Sequence, residues 1–143
     1  MHAQPIIHVE FAAADPAATA HFYAEVFGWQ VERAPGEAAG EALQFQAAGG
    51  PGGAFVGAGS VAGGATTGSA TDARALHSLA GQSGAVLLYL DSEDIEATLA
   101  AVERHGGTTL VPRTAIPYAG WYAIFADPAG TRMALFSARP AVC

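Results

Sequence analysis

His8 and Glu10 stand two residues apart in the segment HVEF, and on a strand that spacing puts both side chains on one face. An imidazole beside a carboxylate can act as acid and base, or can orient a polar ligand group by hydrogen bonds. It can equally be a strand pair that touches no ligand. Leu87 and Tyr89 take the matching face of a second, similar segment, while Val9, Phe11, Leu88 and Leu90 point the other way. Near the C-terminal end Arg132 and Phe136 alternate with Ala134 and share its face. Arg132 there suits a pairing with Glu10, an anionic ligand, or a rim ion pair of little energetic weight. Tyr89, Tyr118 and Trp121 offer ring surface on which a flat apolar ligand gains burial, although aromatics at strand spacing also serve ordinary packing.

Other titratable groups carry less. His21 and Glu25 lie four apart on a helical segment, opposite Phe22 and Val26, and read as a solvated pair. His105 falls at a helix C-terminus, where the macrodipole accounts for it, and His2 and His77 lie in flexible context. The glycine-rich run over 49–64 lacks a following Lys-Ser/Thr and a strand-to-helix context, so it is read as turns and a mobile flap, not as a phosphate loop.

The elements that position these residues come from an internal repeat. HVEFAAADPAATAHFYAEVFG (8–28) lies without gaps on LLYLDSEDIEATLAAVERHGG (87–107), with Asp15 opposite Asp94 and Gly28 opposite Gly107. Each copy reads as strand, loop, helix, stop. Asp15-Pro16 supplies a cap and a first-turn proline, and Thr19, Phe22, Tyr23 and Val26 recur on one helix face. In the second copy Asp91 or Ser92 is expected to cap, Ile95, Leu99 and Val102 form the apolar stripe, and Gly106-Gly107 ends the helix. The tails correspond too: QAAGGPGGAFVG (46–57) lies on ADPAGTRMALFS (126–137). Further short strands are expected over 29–32, 43–47, 109–113 and 121–125. Each unit is therefore βαβββ. The expected organisation is one α+β domain over 1–143, with module one at about 4–59, a flexible connection at about 60–84 that holds a short helix near 72–79, and module two at about 85–138.

Composition narrows the function classes. Thirteen acids against six bases leave a net charge of −7, which argues against nucleic acid as a partner, since phosphate neutralisation needs clustered cations. All six bases are Arg, so Schiff-base and P-loop lysines are excluded. A single cysteine, Cys143, leaves no intramolecular disulfide and no cysteine cluster for zinc, and fits a reducing cytoplasm. The opening residues MHAQPIIHVEF lack a basic stretch followed by an apolar run, and no apolar run approaches the ~20 residues that span a bilayer, so no membrane partner is expected.

In their order and spacing, HVEF before Asp-Pro, FYAEVFGW, DIEATLAAVERHGG, IPYAGWYAIF and DPAGTRMALF make nearly the whole chain resemble the vicinal oxygen chelate superfamily, which holds glyoxalase I, bleomycin-resistance proteins and extradiol dioxygenases. The resemblance implies paired βαβββ modules curling into a cup-shaped mixed sheet, commonly as a homodimer, with a metal or a small molecule on the inner face. Its metal enzymes place a ligand on the first strand of each module and a carboxylate on the last. Those positions read His8, Ala54, Leu87 and Ala134, and three of the four have no lone pair to donate. In glyoxalase-like members the last-strand Glu is ligand and base together, so Ala134 removes both. The expectation is a cytoplasmic, metal-independent binder of a planar or aromatic small molecule, an antibiotic or metabolite, with no cofactor. Its cup is lined by His8, Glu10, Tyr89, Tyr118, Trp121, Arg132 and Phe136. Two alternatives stand beside it: a metal-dependent lyase, isomerase or dioxygenase with non-standard ligands, and a regulatory or interaction module with a vestigial cup.

Overall fold

The computed structural model describes residues 3–33, 42–57 and 84–138. The expected connection, up to residue 83, and its short helix lie outside the described residues, as do His2, His77 and the part of the glycine-rich run past 57. The chain forms two compact units, Met1–Gly64 and Ala65–Cys143, and each is a βαβββ module.

In module one the elements are β1 (His8–Ala13), α1 (Pro16–Phe27), β2 (Gln30–Arg33), β3 (Ala42–Gln46) and β4 (Gly52–Gly57). The sheet order is β1-β4-β3-β2. Strands β2, β3 and β4 form an antiparallel meander, which returns β4 beside β1, so β1 and β4 run parallel. That parallel pair needs a crossover, and α1 begins it. The helix starts at Asp15, whose carboxylate accepts the Ala18 N–H at 3.1 Å, and Pro16 follows where no N–H is needed. It stops at Gly28, left-handed at φ 72°.

The large buried side chains of module one are all aromatic. Thr19, Ala20, Phe22 and Tyr23 of α1 are buried, and Val26 is half-buried. Tyr23 stacks on Trp29 with ring centroids 4.7 Å apart, and Trp29 stacks on Phe45 at 4.5 Å. Phe11 meets Tyr23, Phe45 and Phe55 at 5.3, 5.7 and 5.3 Å. Such pairs add about 0.5–1.5 kcal/mol each beyond area burial.

Module two repeats the plan with β5 (Tyr89–Asp91), α2 (Ile95–Arg104), β6 (Thr108–Ile116), β7 (Gly120–Ala126) and β8 (Arg132–Ala138), in the order β5-β8-β7-β6. The expected stripe Ile95, Leu99 and Val102 is buried. Asp94, not Asp91 or Ser92, caps α2, accepting the Ala97 N–H at 3.0 Å. The cap must lie three residues before the N–H that it satisfies, and Asp94 is the repeat partner of Asp15, which caps in the same way. At the other end the Gly107 N–H donates to the Val102 carbonyl at 2.9 Å, with Gly106 left-handed at φ 96°. The β7–β8 turn is held by buried Asp127, whose Oδ1 accepts the N–H groups of Ala129 and Thr131, both at 2.9 Å. No helix among the described residues is long and apolar enough to cross a membrane.

Candidate functional site

In module one α1 covers the sheet face that carries Phe11, Phe45 and Phe55. The opposite face follows from the strand registers. His8 pairs with Gly52 and Glu10 with Ala54; Gln44 pairs with Ala54 and also with Glu32, and Gln46 pairs with Gln30. Two rows therefore cross this face: Glu10, Ala54, Gln44, Glu32, and next to it His8, Gly52, Gln46, Gln30. The six larger side chains are all exposed. The imidazole Nε2 of His8 lies 3.4 Å from Glu10 Oε2. A cleft of about 530 Å³ opens here, lined in part by His8, Gln30, Glu32, Gln44, Gln46 and Gly52. Sequence reasoning singled out His8 and Glu10 but missed the glutamines, although the alternation in QFQ already marked Gln44 and Gln46 as sharing a face.

In module two Tyr89 pairs with Ala134 and Asp91 with Phe136, while Ala134 pairs with Ile124, Phe136 with Tyr122 and Arg132 with Ala126. Tyr89, Tyr122, Phe136 and Arg132 thus share the face away from α2. Ile124 and Ala134 at its centre are buried, and Tyr89 is 47% exposed.

Trp121 and Tyr118 are not brought to that group. Trp121 pairs with Ser137, one residue out of phase with Tyr122 and Phe136, and so lies on the α2 face. There the Arg113 guanidinium sits 4.5 Å from its ring centroid. Together with Ser137 and residues 91–96 these two side chains line a separate cleft of about 490 Å³. Its neighbour Tyr122 takes the position that sequence reasoning assigned to Trp121; a one-residue shift in strand phase exchanges faces. Tyr118 occupies the β6–β7 turn, left-handed at φ 67° and 94% exposed. That turn lies past the Gly120–Ala138 pair, whereas Arg132 pairs at the far end of the same ladder, roughly 20 Å away at about 3.4 Å per residue. His21 and Glu25 stand exposed and 4.0 Å apart. His105 is half-buried, its Nδ1 2.9 Å from the Ala101 carbonyl.

The last-strand positions do not fit a metal. Ala54 lies across from Glu10 and Ala134 across from Tyr89, so the last strands present methyl groups where a carboxylate would be needed. Among the described residues no group of three or more His, Cys, Asp or Glu side chains is gathered to hold an ion.

Comparison with known proteins bears on the fold. No curated protein matches the chain. A solved enzyme of the glyoxalase/bleomycin resistance protein/dioxygenase family from Burkholderia phytofirmans PsJN superposes with a TM-score of 0.67 at 19% identity, over 95% of this chain and 100% of that one. TnmS3, an antibiotic binding protein from Streptomyces sp. CB03234, gives 0.63 at 18% identity over 97% and 99%. TioX from Micromonospora sp. ML1 gives 0.63 at 15% identity over 95% and 100%. A family model matches residues 6–135, nearly all of both modules. The chain belongs to the glyoxalase/bleomycin resistance protein/dioxygenase superfamily.

Proposed function

We propose that this protein is a metal-independent binder of a small molecule, an antibiotic or metabolite, held on a sheet face that a helix leaves open. The observation that carries the reading is the pair Ala54 and Ala134. Each sits in register with the first strand of its module, opposite Glu10 and Tyr89, and neither can ligate a cation or move a proton. What remains on those faces suits binding: hydrogen-bonding side chains in module one, and the rings of Tyr89, Tyr122 and Phe136 in module two. The rings favour a planar or aromatic ligand, because flat apolar surface gains most by stacking on them. That TnmS3, a structural neighbour, binds an antibiotic agrees with this class of ligand. The working form is a cytoplasmic homodimer of single-domain chains, with no cofactor.

The test begins with metal content, measured by mass spectrometry on untagged protein with and without a chelator wash. Less than about a tenth of an equivalent, against the tight occupancy of a built site, followed by saturable thermal stabilisation with planar aromatic compounds, is the expected result. Near-stoichiometric metal that the chelator removes overturns it.

A further inference from the structure

We draw no further inference here: the strongest candidate, the cleft of about 490 Å³ at the start of α2 in which Arg113 lies over Trp121 beside Asp91, Glu93, Asp94 and Glu96, rests on a helix N-terminus and a cluster of exposed acids, and nothing in the structure shows what covers it.

Discussion

Gly53 and Phe45 are direct partners across β3 and β4, and the Phe45 ring lies where a side chain on Gly53 would be. A Cβ built on Gly53 comes within 2.7 Å of ring atoms Cε2 and Cζ and collides with the Val9 carbonyl oxygen. The missing side chain is what lets Phe45 lie flat against Trp29. Gly53→Ala is therefore expected to cost about 3 kcal/mol or more, at the upper end of overpacking penalties, or to prevent folding. Gly50→Ala, where nothing lies within 4 Å, is the control and is expected to stay within about 0.5 kcal/mol. Urea denaturation of both variants measures the difference, and similar stabilities would remove this explanation of the stacked core.

Asp127 is expected to matter for stability rather than for binding. Its buried Oδ1 takes two backbone N–H groups of the β7–β8 turn. Asp127→Ala orphans both at about 1–3 kcal/mol each; Asp127→Asn keeps a carbonyl oxygen for them and should lose clearly less. Melting temperatures in the order wild type, Asn, Ala bear this out, and equal losses in the two variants count against the turn role.

The capping assignment separates two neighbouring acids. Asp94→Ala removes the acceptor of the Ala97 N–H and should cost about 1 kcal/mol, as should Asp15→Ala at α1. Asp91→Ala, at an exposed strand end, is expected to change stability by less than about 0.5 kcal/mol. Chemical denaturation decides it; a larger loss from Asp91 would return the cap to the residue that the sequence suggested.

Tyr118 holds a left-handed backbone that its Cβ disfavours by roughly 1–2 kcal/mol. Tyr118→Gly relieves this strain while adding unfolded-state freedom worth about 0.4–1 kcal/mol. The net expectation is unchanged or slightly raised stability, read by thermal unfolding, since a side chain this exposed contributes little packing. A clear drop would mean that the ring makes a contact in solution.

Ligand binding should distinguish adjacent aromatics of β7. Tyr122→Ala is expected to weaken a planar aromatic probe severalfold, because Tyr122 shares a face with Tyr89 and Phe136. Trp121→Ala is expected to leave affinity within about twofold, because its ring lies on the α2 side under Arg113. Calorimetry on both variants, with circular dichroism as a fold check, reads the contrast; the opposite order would place the ligand in the cleft at the start of α2.

The repeat, the two helices with their apolar stripes, and the eight strands were all legible in the chain. Local periodicity, capping residues and glycine stops act over a few residues, and a duplicated unit states them twice. The alignment of Ala54 with Ala134 was legible for the same reason, and the registers Glu10–Ala54 and Tyr89–Ala134 repeat it in three dimensions. Which ring of Trp121 and Tyr122 faces away from α2 was decided only by tertiary structure. Neighbours on a strand point to opposite faces, and the phase of β7 is set by its hydrogen bonds to β8, with bulges in β6 absorbing the mismatch on the other side. The glutamine-rich open face of module one likewise belongs to the pairing of β2, β3 and β4: residues 30, 32, 44 and 46 stand apart in the sequence, and become one surface beside Ala54 only when antiparallel register sets them side by side.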